Sequence, residues 1–413
     1  MDYRKNILSP IKIGHLESQN RFFVQAMECN DEDQDGNPSD LTYARYRKLF
    51  EGQAGFVSLE AISVTKESCS RINQLSIMPQ NEKALAKFVA EVKKANPNVI
   101  FVFQLTHSGE LSGQEFSRRV TVNPLYGFGG ELLTEDHIEK IMDDFVTAAV
   151  IAHNVGADGV DMKLCHGYFG SQVLRPYNSR KWKYGGSWEN RSRFAFDLYE
   201  RIQKAVNDKN FLIGSKISAY EGFPGGFGTE SPNSPVMDLT EPLALVKGLE
   251  ERGAQYIVQS AGNPSISIYL TQAGKEAPYF SYLHQYFAKE FKKAVKPETV
   301  IIGSNFSLFA NGKSGLRGVE PEKIALLPYG AQCIDTGVVD MIGLGRQSLA
   351  DPYTPKKLME GNESAINYCT GCDCCKELII RQRHVGCAVF DKHYTQELIN
   401  VRGELGKLQT VYT

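Results

Sequence analysis

The stretch Asp161-Met-Lys-Leu-Cys-His-Gly-Tyr168 crowds three groups able to do chemistry. Lys163 and His166 can each donate a hydrogen bond to a substrate oxygen. Tyr168 carries a phenol whose proton can pass to a carbon beside a carbonyl. Spacing alone is equally consistent with a polar turn whose side chains only satisfy backbone. Gln104 closes the apolar run Val99-Ile-Phe-Val-Phe103. A buried amide there needs partners, either a structural hydrogen bond or the alternating donors and acceptors of a flavin pyrimidine edge. Lys216 ends another apolar run. Aimed at the N1/O2 edge of a flavin, its cation would stabilise the anionic reduced ring; a neighbouring carboxylate is its plainer partner.

Two later runs offer a phosphate site. Val300-Ile-Ile-Gly-Ser304 ends in Gly303 and Ser304, and Asp340-Met-Ile-Gly-Leu-Gly-Arg346 ends in Gly345 and Arg346. Glycine lets backbone N–H groups approach a phosphate closely, and arginine adds a forked donor.

Of the nine cysteines, Cys29, Cys69, Cys165 and Cys333 are scattered, whereas Cys369, Cys372, Cys374, Cys375 and Cys387 crowd together. Taking Cys369, Cys372, Cys375 and Cys387 gives C-x2-C-x2-C-x11-C. Close pairs with a remote fourth thiolate suit an iron–sulfur cluster or a four-thiolate zinc site. A chain this long needs no disulfides to fold, so metal or redox chemistry is read before a disulfide framework. Unligated thiols are the remaining reading.

These residues must be held by something. Short, continuously apolar runs recur at 22–26, 56–60, 99–104, 159–163, 212–217, 255–259, 300–304 and 340–344. Strands of a parallel sheet, buried on both faces, read this way. Helix-compatible text separates them. From Asp136 to Val155 the apolar residues form a helical stripe, Thr134 suits the N-cap and Gly156 the C-cap. Eight such alternations predict an α/β fold, a (β/α)8 TIM barrel, with the catalytic groups at the C-terminal strand ends. No G-x-G-x-x-G follows the first strand, which argues against an open doubly wound sheet. The boundaries expected are a barrel over 1–360 and a cysteine-cluster extension over 361–413. The loop from Tyr220 to Asp238 is expected to cover the site.

Net charge is −2 over 413 residues, which offers nothing to nucleic acid or to an acidic membrane surface. No run reaches the ~18 apolar residues of a membrane span, and the start has no apolar secretory core. A cytoplasmic protein is the expectation; oligomeric state stays open, a homo-oligomer included.

Over roughly residues 5–358 the chain resembles the Old Yellow Enzyme family (NADH:flavin oxidoreductases), in its branch related to 2,4-dienoyl-CoA reductase. The resemblance rests on Asn20-Arg21 with Gln25-Ala-Met-Glu28, Gln104-Leu-Thr-His-Ser-Gly109 and His166-Gly-Tyr168. Tyr184-Gly-Gly-Ser-Trp-Glu-Asn-Arg-Ser-Arg193 and Gly345-Arg346…Ala350-Asp-Pro352 complete it. It implies FMN at the barrel mouth, near Ala26, Met27, Glu28 and Ala61. Gln104 and Lys216 would meet the pyrimidine ring, and Gly303, Ser304, Gly345 and Arg346 the phosphate. It further implies reduction of a C=C bond conjugated to a carbonyl or similar group in a small-molecule substrate. Hydride leaves flavin N5 for the β-carbon, Tyr168 protonates the α-carbon, and the pair at Lys163 and His166 holds the activating oxygen. The branch carries a [4Fe–4S] cluster at the cysteines, with one more residue between the second and third. Cys374 is therefore a spare ligand, and zinc an alternative.

The departures matter. Lys163 stands where His or Asn is usual, Lys216 where Arg is, Ala26 for Pro, and Glu28 for a small residue. A charged Lys163 is expected to favour an anionic oxygen. The branch continues into a second nucleotide-binding domain, for which too few residues follow Cys387. Electrons are then expected from NAD(P)H or a separate electron-donor protein. The alternatives are an FMN dehydrogenase or demethylase working oxidatively, a flavin/iron–sulfur electron carrier, and a flavin-free aldolase with Lys163 as Schiff-base nucleophile.

Overall fold

A computed structural model describes residues 3–125, 127–274, 277, 279–310 and 325–411, with side chains to 404. The apolar runs become eight parallel strands: β1 Phe22–Val24, β2 Phe56–Ser63, β3 Ile100–Thr106, β4 Gly159–Leu164, β5 Leu212–Ser218, β6 Tyr256–Ser260, β7 Val300–Gly303 and β8 Met341–Leu344. They pair in sequence order and β8 returns to β1, which closes the barrel. Every residue of β2, β3, β4 and β5 is buried. That double burial is why no polar alternation marks them in the sequence.

Helices α1 Asp40–Glu51, α2 Glu82–Ala95, α3 Glu135–Asn154, α4 Trp188–Val206, α5 Thr240–Glu251, α6 Tyr279–Ala294 and α7 Leu326–Asp335 each follow a strand. In α3, Thr134 caps the start by accepting from the His137 N–H, and Gly156 takes a left-handed φ of 88° just past the end. No helix among the described residues is long and apolar enough to cross a membrane.

The barrel interior is layered. At the N-terminal end, Phe23, Phe56, Ile100, Leu212, Tyr256, Val300 and Met341 fill the bore. Phe23 and Phe56 meet edge-to-face at 4.9 Å, and the Tyr256 hydroxyl donates to the Val160 carbonyl at 2.9 Å. An antiparallel hairpin, Ile11–Ile13 with Leu16–Ser18, lies at this end and adds Ile13 to the plug. With the bottom sealed by apolar side chains, polar inward residues are confined to the opposite mouth.

Past β8 the chain packs back on the barrel. The Asn367 N–H donates to Asp351, and the Cys369 N–H to the Gln347 side chain. Helices α8 Cys374–Ile380 and α9 Lys392–Val411 follow. Leu378, Val385, Tyr394, Leu398 and Val401 form a small core against Cys29, beyond β1.

Candidate active site

At the C-terminal mouth an open cavity is walled by Gln25, Ala26, Met27, Glu28, Gln104, Lys163, His166, Tyr168, Lys216, Ser304, Gly345 and Arg346. Residues chosen from six separate strand ends thus converge on one space. Gly303 lies just beneath it, where its carbonyl accepts from Gln25 Nε2 at 3.4 Å. Ala61 is the exception. It sits past an irregularity in β2, off this wall, and its carbonyl accepts from Gln74 Nε2 at 2.9 Å. The loop 220–238 also contributes no wall residue; Pro264, Thr271 and Gln272, beyond β6, do.

Register sets the polar layer. Gln104 pairs with Asp161 across β3 and β4, and Lys163 with Lys216 across β4 and β5. Gln104 Nε2 donates to Asp161 at 2.8 Å. That bond fixes the amide so that its oxygen faces away from Asp161, an acceptor for a ring N–H. Burial pushes the Asp161 carboxyl up to about 6. Lys216 donates to Gln25 Oε1 at 2.7 Å, and burial lowers its pKa.

His166 and Gly167 both hold left-handed backbone, with φ of 60° and 74°. This turn brings Tyr168 back over Lys163, whose Nζ stands 3.2 Å from the phenol ring centre. His166 Nε2 meets the Ser260 hydroxyl at 2.6 Å. Burial, then Lys216 and Lys163, hold His166 well below its usual pKa, so it enters chemistry as a neutral imidazole.

Lys163 is not the free cation expected. It donates to Glu28 at 2.7 Å. Tyr168 donates to the same carboxylate, at 2.9 and 3.0 Å, and Arg71 Nε stands 3.2 Å from it. Burial opposes charge on Glu28, but Lys163 and Arg71 override it and hold the carboxyl at about 2. Burial likewise pulls Lys163 down, and Glu28 and Tyr168 more than reverse this. A lysine kept charged is no nucleophile, which removes the Schiff-base alternative. The tyrosine is raised by burial and then by Glu28, so it remains a proton-bearing phenol.

The rim beyond β7 and β8 suits an anion. Asn305 takes a φ of 65°, and its buried Nδ2 has no hydrogen-bond partner among the described residues. Thr271 Oγ1 is in the same state on the same wall. Buried donors without partners facing a cavity are what a bound phosphate would satisfy. Arg346 lines this rim with Nη2 on the Ala273 carbonyl and Nη1 on Asp373, at 2.8 and 2.9 Å. Gln25, Arg71, Ser260 and Asn305 belong to the wall but were not singled out as site residues. Applying the strand-end rule to β6 and β7 finds Ser260 and Asn305. Arg71, on a long loop, leaves no such signal.

The cysteine loop adjoins this rim. The Cys375 thiol, raised by burial to about 12, feels Arg346, Cys369 and Cys372; Cys387, also raised by burial, feels Cys369 and Cys372. The Cys374 thiol, raised by burial to about 11, meets the Cys372 side chain and lies 3.9 Å from the Cys372 carbonyl, with Arg402 and Glu377 nearby. Among the described residues no three of these thiols come within 4.8 Å of one another. Thiolates about 2.3 Å from one zinc ion would stand about 3.8 Å apart.

The model of the NADH:flavin oxidoreductase / NADH oxidase family matches residues 6–241. The chain belongs to this family. The acceptor and cation of the Gln104–Lys216 layer and the buried donors at the rim are groups of the kind that the family's flavin would need. Among curated relatives of the family, an NADH oxidase of Thermoanaerobacter brockii is 29% identical over 384 residues, 90% of this chain and 54% of that protein. A dimethylamine dehydrogenase of Hyphomicrobium sp. is 26% identical over 403 residues, 91% of this chain and 48% of that one. The chain therefore spans about half the length of the curated relatives it matches. In fold it is similar to a 2-naphthoyl-CoA reductase solved with 2-naphthoyl-CoA, at a TM-score of 0.78 and 21% identity over 96% of this chain and 58% of that one. An Old Yellow Enzyme homologue from Zymomonas mobilis gives a TM-score of 0.65 at 20% identity, covering 86% of this chain and 92% of that one.

Proposed function

We propose that the chain is an FMN-dependent oxidoreductase that reduces an activated C=C bond of a small molecule, the alkene being conjugated to a carbonyl or related group. The observation carrying this reading is a proton-bearing Tyr168 in the same cavity as Lys163, His166 and the Gln104–Lys216 layer. FMN, when bound, supplies the hydride chemistry. The protein's part is to orient and to move one proton. Gln104 offers an acceptor and Lys216 a cation to a pyrimidine ring, while Ala26, Met27 and Glu28 border the cavity between them. Gly303, Ser304, Asn305, Gly345 and Arg346 would take the phosphate. The neutral His166 donates to the activating oxygen, with its ring set by Ser260. Tyr168 gives its proton to the α-carbon, and Lys163, across the ring face, stabilises the phenolate left behind.

We assign Cys369, Cys372, Cys375 and Cys387 as ligands of a [4Fe–4S] cluster in an extension over 361–413, with the barrel over 1–360. The C-x2-C-x2-C-x11-C spacing and the electrostatic influence of Cys369 and Cys372 on both Cys375 and Cys387 support this set. NAD(P)H, or a reduced partner protein docking near the exposed Cys372, supplies the electrons. Anaerobic purification with a visible spectrum, an iron and sulfide count, and turnover of NADH and NADPH against an enone panel tests the proposal. Flavin bands, iron and alkene reduction together support it; a colourless protein overturns it.

A further inference from the structure

Glu28 stands where two donors and a second cation converge. Lys163 Nζ at 2.7 Å and the Tyr168 hydroxyl at 2.9 Å donate to its carboxylate, and Arg71 Nε forms an ion pair with it at 3.2 Å. Two cations and a phenol so arranged are a carboxylate-binding site, already filled by a side chain of the protein. The filling is firm. Cys29, next in the chain, donates its N–H to Glu60 at 2.9 Å and is packed into the core of the extension. Asn30 then takes left-handed backbone, with φ 53°, and accepts from the Asn73 N–H. The backbone on the far side of Glu28 is therefore held, and its side chain, 11% exposed, points into the cavity.

We infer that Glu28 is a built-in counter-ion that sets the charge of the acceptor: it occupies the anionic subsite offered by Lys163, Arg71 and Tyr168, so the site takes a neutral carbonyl compound and rejects a carboxylate there. This rests on the proposed function for the identity of the site, and replaces the anionic preference expected of Lys163 alone. The charges make the argument. Lys163 and Arg71 sum to +2, and Glu28 reduces this to +1 while placing two negative oxygens at the point of convergence. A substrate carboxylate directed at the same donors would have to displace Glu28 or lie against it, with like charges in contact in a poorly solvated site. A neutral carbonyl oxygen instead uses His166, which carries no charge, and meets no such repulsion.

The test uses the oxidised holoenzyme and two ligands of the same shape, benzamide and benzoate, titrated at fixed ionic strength and read through the flavin absorbance. No turnover is needed, so the outcome is independent of whether the enzyme reduces alkenes. The wild type is expected to bind benzamide at least ~10-fold more tightly than benzoate. Glu28→Gln keeps the shape and frees Lys163 and Arg71. Benzoate should then bind at least ~10-fold more tightly than to wild type, with benzamide changed less than ~3-fold. Glu28→Asp, which keeps the charge, should still reject benzoate. The inference is overturned if Glu28→Gln binds benzoate no better than wild type or not at all. It is also overturned if the wild type shows no preference for benzamide, a comparison that stands even should the variants fail to fold.

Discussion

Arg346, at the rim of the mouth cavity, donates from Nη1 to the carboxylate of Asp373 at 2.9 Å. Asp373 lies between Cys372 and Cys374, in left-handed backbone with φ 60°, and also accepts from Gln272 Nε2 at 2.7 Å. One carboxylate thus ties the cysteine loop to the arginine at the rim of the cavity. The chain has coupled its two candidate cofactor sites through a single ion pair, 7% and 29% exposed on its two sides.

Asp373→Asn should therefore weaken flavin binding from outside the mouth cavity. Loss of a charge-assisted bond of roughly 1.5–3 kcal/mol releases Arg346 from its set orientation. Titration of apoprotein with FMN should show affinity lower by about 10-fold or more. An unchanged affinity would mean that the Ala273 carbonyl alone holds the guanidinium.

Cysteine substitutions should divide sharply. Cys369→Ser, Cys372→Ser, Cys375→Ser and Cys387→Ser should each lose most of the iron from anaerobically purified protein. Cys374→Ser, whose thiol has Arg402 and Glu377 nearby, should keep it. Iron analysis of the five variants decides this, and iron lost from Cys374→Ser would replace one member of the ligand set.

Much of this arrangement was legible in the sequence. Strands buried on both faces leave apolar runs, and the first polar residues at their C-terminal ends are forced into the mouth by the Phe23–Phe56 plug. That logic located Gln104, Lys163, His166, Tyr168 and Lys216 before any coordinate was known. It could not show that Glu28 neutralises Lys163, because the partners lie 135 positions apart and no periodicity encodes the meeting. Arg71 was missed for the same reason. Ala61 fell outside because an irregularity in β2 shifts its register and leaves its carbonyl to Gln74. The 220–238 loop has the glycines and prolines of a lid, yet the wall is made by residues after β6.

Acid should expose the Glu28 ion pairs. Its carboxyl titrates near 2 in the folded protein, below the ordinary 4.5. A depressed carboxyl adds stability that is complete above the unfolded value and is lost as pH falls from about 4.5 towards 2. The full effect is about 3 kcal/mol. Denaturant unfolding of wild type and Glu28→Gln between pH 6 and pH 3 should show a shallower decline in the variant. Parallel curves would mean that Lys163 and Arg71 do not hold Glu28 ionised.

The apolar plug predicts a loss of stability without a loss of flavin chemistry. Phe56 is fully buried and touches Phe23 and Tyr256 edge-on. Phe56→Ala should cost about 3–5 kcal/mol in unfolding free energy. The folded fraction should keep the flavin spectrum of the wild type, since the cavity lies at the other end of the barrel. A bleached but stable variant would contradict this separation.

In the proposed reaction Tyr168 supplies the proton that completes alkene reduction. Rapid mixing of Tyr168→Phe and wild type separates reduction by NAD(P)H from reoxidation by an enone, both followed at the flavin absorbance. Reoxidation by the enone should be slowed about 10²–10⁴-fold in the variant, with the NAD(P)H step changed less than about 3-fold. Equal rates of enone reoxidation in the two proteins would contradict it.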